Sequence, residues 1–227
     1  MKFFAVADNR EMKAKKIEAV LGNFLKEEKI AGKKILDLGC GSGHIAEYFS
    51  HANEVVAADV VDQIAVAKRD SFAFEKIDGT SLSFKDNSFD IVIYNHIICC
   101  VRNQNEQLKE IYRVLKKGGI CYFATVNRYF PVDGVTRLPV LHYLPNRLFR
   151  SIYKRLLKTD EDLYLFGYHK AIKLIRRAGF SYQDFTAEII KNPANYHSEY
   201  RVPFHLPVPA CLSPTLVFIL RKEEHGI

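Results

Sequence analysis

Short apolar runs alternate with amphipathic stretches along the first 126 residues of the chain. The apolar runs predict strands, at Lys34–Leu38, Glu54–Asp59, 74–77, 91–95 and 120–126. The stretches between them predict helices over 11–29, from His44, around 63–68 and from Asn105. Such alternation predicts an α/β fold with a parallel sheet covered on both faces, whose ligands lie at the carboxyl ends of the strands.

The alternation is interrupted over residues 128–167, which we interpret as an insertion within a single domain of residues 1–227. Beyond it, the pattern predicts a helix from Tyr168 that ends at Gly179, where glycine can cap the helix. A sixth strand is predicted over 180–190 and a terminal strand over Thr215–Arg221, joined by a long irregular connection rich in proline.

The formal net charge of +7 is concentrated in the insertion. No acidic residue stands between Asp133 and Asp160, whereas six basic residues do: Arg137, Arg147, Arg150, Lys154, Arg155 and Lys158. Without that segment the charge would be only +1. The basicity therefore belongs to one local element and does not indicate a surface that binds nucleic acid throughout.

The five cysteines form no C-x-x-C pair and no zinc-like cluster with histidine, so we expect small buried side chains and no metal ligands. No apolar stretch approaches the roughly 20 residues that cross a bilayer, and no secretory leader is recognisable. A soluble, cytoplasmic protein is expected.

A glycine turn follows the first strand. The run 35–43 reads Ile-Leu-Asp-Leu-Gly-Cys-Gly-Ser-Gly, with Gly39, Gly41 and Gly43 in a G-x-G-x-G register. Glycine permits positive φ and close approach of a ligand to the backbone. A dinucleotide fingerprint, G-x-G-x-x-G, would need a further glycine where His44 stands, and Asp37 is a second difference from it.

With Asp37, this turn resembles the D-x-G-x-G-x-G motif of class I S-adenosylmethionine-dependent methyltransferases. Three later features resemble the same family in order: Asp59 at the end of the second strand, Asp78-Gly79 after the third, and the run 82–93 into the fourth. A helix carrying Glu110 and Arg113 before 117–119 resembles the family's E-h-x-R-V-L-K-P-G-G signature, with Lys117 in place of proline. The resemblance is to the ubiquinone/menaquinone-biosynthesis type and covers mainly residues 30–127.

The resemblance implies a Rossmann-like, doubly wound, seven-stranded mixed sheet whose last strand is antiparallel, with residues 128–167 as an inserted helical lid. It implies S-adenosylmethionine as cofactor, held by Asp37, Gly39, Cys40, Gly41, Gly43, Asp59, Val60, Asp78, Gly79, Thr80, Asn95 and His96. Asp37 is expected at the amino-acid end of the cofactor, Asp59 at the ribose and Asp78 at the adenine. The alternatives are loop fixation for Asp37, a helix N-cap for Asp59 and a plain turn at Asp78.

Methyl transfer requires that acceptor and methyl group be held close, aligned and dry. A hydroxyl or acidic carbon acceptor would gain from a base with a pKa near neutrality. The candidates are His96, Tyr168, His169 and His142. For His96, packing beside the cofactor without chemistry is the alternative, and His169 could instead cap its helix.

Residues 146–158 predict an amphipathic cationic helix, with Leu148, Phe149, Ile152, Tyr153, Leu156 and Leu157 on one face and the bases on the other. One interpretation is a lid whose basic face is solvated, and another is contact with an anionic membrane or membrane-bound acceptor. We expect O- or C-methylation of a small or lipid-like molecule. The alternatives are an RNA- or tRNA-modifying methyltransferase, an NAD-dependent oxidoreductase and a non-catalytic cofactor-binding protein. No N-P-P-Y or D-P-P-Y run follows the fourth strand, so nucleic acid is disfavoured.

Overall fold

A computed structural model of the chain describes residues 8–66, 69–131, 141–160, 162–198 and 209–224. Arg137 and the beginning of the apolar run 139–145 lie outside the described residues. Among the described helices, none is long and apolar enough to cross a membrane.

Seven strands form one mixed sheet in the order β3-β2-β1-β4-β5-β7-β6. Only β7 runs antiparallel to its neighbours β5 and β6, which confirms the predicted fold. The strands are β1 (Lys34–Leu38), β2 (Glu54–Asp59), β3 (Ala73–Lys76), β4 (Phe89–Asn95), β5 (Leu115–Val126), β6 (Ser181–Asp184) and β7 (Thr215–Arg221). The helices are α1 (Asp8–Leu25), α2 (His44–Ser50), α3 (Gln104–Val114), α4 (Asn146–Leu157), α5 (Tyr168–Arg177) and α6 (Thr186–Lys191). Short 3₁₀ turns lie at Arg69–Ser71, Ile98–Cys100, Leu141–Tyr143, Pro193–Tyr196 and Ala210–Leu212.

Both faces of the sheet are covered because successive strand residues point to opposite sides. On one face, Leu36 and Val92 lie in the same buried cluster as residues of α3 and α5. On the other face, Ile35 and Ile93 join a cluster with residues of α1, α2 and α6. Helices α2 and α3 therefore cover opposite faces.

The prediction of a helix around 63–68 was wrong for residues 63–66, which the structure describes and which are not helical. The Asp62 carboxylate accepts the backbone N–H of Ile64 at 3.3 Å and pairs with the Arg69 guanidinium at 2.6 Å. An Asp side chain bonded to the backbone two residues on stabilises a turn in place of a helix. The chain accordingly forms a 3₁₀ turn at Arg69–Ser71.

The strand predicted over 180–190 was too long. Strand β6 ends at Asp184, whose carboxylate accepts the N–H of Thr186 at 2.8 Å, and α6 begins there. A carboxylate that accepts an N–H of the first turn favours the start of a helix.

The prediction of five buried cysteines was also wrong in part. Cys40, Cys99 and Cys121 are buried and Cys211 is intermediate, but Cys100 is exposed. It ends the 3₁₀ turn Ile98–Cys100, which turns it away from the core.

A third, smaller cluster lies apart from the two main layers. Phe149 and Tyr153 of α4 pack with Cys99, Leu163 and Leu165. The N–H of Tyr164 donates to the Cys99 carbonyl at 2.7 Å, and Gln104 donates to the Tyr164 carbonyl at 2.8 Å. Helix α4 is therefore held against the loop between β4 and α3, at the carboxyl end of β4.

Candidate cofactor-binding site

The glycine turn lies at the carboxyl end of β1, and hydrogen bonds hold it against β2. The N–H groups of Gly39 and Cys40 donate to the Ala58 carbonyl at 2.7 and 3.2 Å, which fastens the turn to β2. Gly41 has a φ of +53°, and no heavy atom comes within 4 Å of where a Cβ would stand on it. The turn therefore has one open face, on which a ligand can approach the backbone.

The first glycine is required by close packing. A Cβ on Gly39 would lie 2.3 Å from Cγ1 of Ile97, in the loop that follows β4. The turns after β1 and β4 are therefore in contact at Gly39.

The Asp59 carboxylate ends β2 beside this turn. One oxygen accepts the Gly41 N–H at 2.8 Å, and the other accepts the Val60 N–H at 2.7 Å. An ionised carboxylate has about four acceptor positions, so lone pairs remain for the hydroxyls of a ligand. Val60, 49% exposed, offers apolar surface next to them.

Asp37 lies under the turn, only 2% exposed. Its Oδ2 has no hydrogen-bond partner. Burial raises the pKa of Asp37 to about 7, against a hydrogen bond from the Ala46 N–H that lowers the pKa, while the charge of Asp59 raises it further. A buried carboxyl oxygen without a partner fits a ligand that brings a cationic or N–H donor. The cofactor implied by the resemblance carries an ammonium group and a ribose, so Asp37 suits the ammonium group and Asp59 suits the ribose hydroxyls.

The segment after β3 completes the same edge. The Ile77 N–H donates to the Asp59 carbonyl at 3.0 Å, which places Asp78 and Gly79 next to Asp59. Asp78 is exposed, and Gly79 and Thr80 are half-buried. The side chain of Asp78 is therefore available to a ligand.

Asn95 and His96 leave β4 at this edge. The His96 N–H donates to the Ala124 carbonyl at 2.8 Å, and its φ of 62° lies in the left-handed region. Its Nδ1 is buried without a hydrogen-bond partner. Burial, followed by the charges of Lys16 and Lys13, lowers the pKa of His96 to about 3. The imidazole is consequently neutral at physiological pH.

Sequence reasoning missed the approach of α1 to His96. Lys16 is half-buried, and burial lowers its pKa to about 8. The amphipathic pattern of 11–29 gave no signal for this, because Lys16 stands at the border of the apolar face, directly before the buried Ile17.

The other proposed catalytic groups lie elsewhere. The Tyr168 hydroxyl donates to Asp184 at 2.8 Å, and burial followed by that carboxylate raises the pKa of Tyr168 far above its usual range. His169 is exposed and packs edge-on against Tyr168. Three strand spacings separate β6 from β4, about 14 Å at ~4.8 Å each. The structure thus gathers the acidic and glycine residues with Asn95 and His96, and separates Tyr168 and His169 from them.

His142, within the predicted lid insertion of residues 128–167, is buried. Its Nε2 lies 2.6 Å from the Phe130 carbonyl oxygen, and its Nδ1 is buried without a partner. Since a carbonyl only accepts, Nε2 donates its N–H to the Phe130 oxygen.

Helix α4 is amphipathic, but its faces differ from the prediction. Phe149 and Tyr153 are buried, whereas Leu148 and Leu156 are 50% and 52% exposed. The apolar residues therefore do not all lie on the covered face. The bases are not all solvated either, since Lys154 pairs with Asp162 and Arg150 stacks on Tyr164.

Comparison with known proteins agrees with this geometry. A family model described as a methyltransferase domain matches residues 36–123. The chain is 32% identical over 114 residues to an arsenite methyltransferase of Aquipseudomonas alcaligenes, covering 42% of this chain and 33% of the relative. It is 38% identical over 106 residues to a demethylmenaquinone methyltransferase of Clavibacter sepedonicus, covering 42% and 43%. The chain thus spans less than half the length of these relatives.

A solved structure shares the fold over almost the whole chain. This is a methyltransferase of Haloferax volcanii in complex with the Trm112 methyltransferase activator, with a TM-score of 0.62 and 17% identity. The match covers 97% of this chain and 95% of that one. At this identity the likeness concerns the fold alone.

Proposed function

This chain belongs to the class I S-adenosylmethionine-dependent methyltransferases, and from that membership we propose that it transfers a methyl group to a small-molecule or lipid-like acceptor. The acceptor would bind under the lid insertion, with O- or C-methylation favoured. One observation carries the proposal: the buried Asp37, the open glycine turn and Asp59 lie together at the carboxyl edge of the sheet.

Each of these groups has a part in holding the donor. Asp59 accepts from the ribose hydroxyls, Asp37 receives the ammonium end, and Asp78 meets the adenine. The Gly41 backbone faces the donor on the open side of the turn. When bound, S-adenosylmethionine supplies an electrophilic methyl group on a cationic sulfur.

The chain's own contribution to the transfer is alignment and the exclusion of water. The lid insertion supplies the cover, because Phe149 and Tyr153 fix α4 next to the end of β4. His96, His169 and Tyr168 stay candidates for contact with the acceptor. The low pKa of His96 makes that ring a weak base. The buried Nδ1 of His142, which has no hydrogen-bond partner, is a further candidate for contact with the acceptor.

Calorimetric titration with S-adenosylmethionine, S-adenosylhomocysteine and NAD tests the proposal. We expect the first two to bind and NAD not to bind. The Asp59→Asn variant should lose about 1–3 kcal/mol of binding free energy, because charged hydrogen bonds to the ribose are lost. Asp70→Asn, an exposed carboxylate in a nearby turn, is the matched control and should bind normally.

Binding of NAD alone would contradict the assignment of S-adenosylmethionine as the cofactor of this chain. Equal affinity in Asp59→Asn and Asp70→Asn would remove the ribose assignment. Cofactor binding with no formation of S-adenosylhomocysteine, across hydroxyl, quinol and lipid acceptors, would favour a non-catalytic cofactor-binding protein.

A further inference from the structure

An open, shallow cleft lies on the lid insertion, away from the glycine turn. It has a volume of about 390 Å³ and runs between α4, the loop after β4 and the segment that follows α4. Four basic side chains and one carboxylate line it: Arg102, Arg147, Arg150, Lys154 and Asp162. Ser151 and Tyr164 supply hydroxyl groups.

The floor of this basic cleft is fixed by hydrogen bonds. Tyr164 is bonded through its N–H to Cys99 and through its carbonyl to Gln104, both in or next to the loop after β4. The Arg150 guanidinium lies 5.3 Å from the centre of the Tyr164 ring. Stacking on an aromatic face holds a guanidinium in one orientation and leaves its N–H donors pointing outward.

The charges in the cleft do not balance. Among the described residues that line the cleft, four cations and one carboxylate leave an excess of three positive charges. The carboxylate is already engaged, because Asp162 accepts from Lys154 at 3.2 Å and from the Tyr164 hydroxyl at 3.3 Å. Among the described residues, no carboxylate lies within ion-pair distance of Arg102, Arg147 or Arg150, although the charge of Arg150 helps to lower the pKa of Asp162. Like charges held together in this way favour binding of an anion.

We propose that the basic cleft binds a phosphate group. Guanidinium forks match the oxygens of phosphate, and a doubly charged anion would offset most of the three excess charges. The phosphate could belong to a soluble phosphorylated molecule or to the headgroup of an anionic lipid. The existence of the cleft is independent of methyl transfer, but its use to bring an acceptor to the lid rests on the proposed function.

Calorimetric titration with inorganic phosphate tests the site in the full chain. Arg150→Gln and Arg147→Gln should each weaken phosphate binding about tenfold, as expected for one lost charge-assisted contact. The matched control is Arg155→Gln, which removes one exposed charge from the same helix outside the cleft. Arg147 is exposed, so its variant stays informative if loss of the Arg150–Tyr164 stacking impairs folding.

The source of the phosphate is settled by sedimentation with vesicles of phosphatidylcholine, with and without phosphatidic acid. Sedimentation that needs phosphatidic acid and is lost in Arg147→Gln identifies a lipid headgroup. Phosphate binding without such sedimentation identifies a soluble ligand.

The proposal is overturned if the chain binds neither phosphate nor the anionic vesicles, or if Arg155→Gln weakens binding as much as the cleft variants do. Equal weakening by Arg155→Gln would mean that the anion is attracted by the overall positive charge and not by the cleft. S-adenosylmethionine binding, measured in every variant, separates the two proposals, since failure of the cleft leaves it unchanged.

Discussion

Asp37 holds a carboxyl group inside the molecule, next to the last residue of β1. Ile35, Leu36 and Leu38 on the same strand are buried apolar residues, so Asp37 interrupts an otherwise apolar strand. A buried carboxylate without a counter-charge is costly, and protonation is the usual relief. The free-energy cost of ionising Asp37 arises beneath the glycine turn, and a cationic ligand bound there would remove it.

This environment predicts a pH dependence of stability. The pKa of Asp37 is about 7 in the folded chain against 3.8 in the ordinary state, so the folded chain retains a proton that the unfolded chain releases. The contribution of Asp37 to the free energy of unfolding should therefore be most favourable below about pH 4. It should fall by up to about 4 kcal/mol as the pH rises to about 7.

Urea unfolding at several pH values, with wild type and Asp37→Asn compared, measures the contribution. The difference between the two should grow from pH 4 to 7 and then level off. A constant difference would mean that Asp37 ionises normally. Asp70→Asn, at an exposed carboxylate, should show no such trend.

Arg113 joins two elements, helix α3 and the loop 82–86. Its guanidinium donates to Glu110 of the same helix, to Asp86, and to the carbonyls of Phe84 and Leu82. Glu110 in turn accepts the Leu82 N–H at 3.0 Å. The paired Glu and Arg of the family signature therefore fix this loop before β4.

Replacing Arg113 by Met should lower the free energy of unfolding by about 2–4 kcal/mol, because two backbone carbonyls and a half-buried carboxylate lose their donor. Lys109→Met removes only an exposed pair with Glu106 on the same helix and should cost less than about 0.5 kcal/mol. Chemical denaturation of both variants makes the comparison. Equal losses would show that the Arg113 contacts add no more than a surface ion pair.

At the scale of the whole molecule, the third, smaller cluster around Phe149 and Tyr153 is distinct from the two clusters that flank the sheet. Cys99 is its contact with the loop after β4, and the cofactor residues stand on the sheet itself. Helix α4 and the sheet edge that carries the candidate cofactor residues therefore belong to different packing clusters, and each can be perturbed separately.

Phe149→Ala should loosen α4 while the sheet stays folded, since a buried Phe to Ala change costs about 3–5 kcal/mol and this loss falls on the small cluster. Hydrogen exchange should rise in α4 and remain unchanged in β1 and β4. S-adenosylmethionine affinity should stay within about twofold, with methyl transfer reduced. Leu148→Ala, at a half-exposed neighbour, is the control. Unfolding of the sheet in Phe149→Ala would contradict the separation.

The gathering of Asp37, Gly39, Asp59 and Asn95 at one edge was predictable because each stands at or next to a strand end, and parallel strands bring such ends to one edge. The approach of Lys16 to His96 was not, because it depends on how α1 packs across the sheet. The basic cleft was hidden for the same reason, since Arg102 is far from α4 in sequence.

The strand order reverses at β1: the chain moves outward through β2 and β3 and then returns to the other side with β4. Since α2 and α3 cover opposite faces, the connections after β1 and β4 diverge beyond the contact of Gly39 with Ile97. The position of the cofactor site is thus a property of chain topology, and its acidic residues decide only what enters. Variants that no longer bind the cofactor should therefore keep the same arrangement of the two connections. Other side chains at this edge would then admit a different nucleotide.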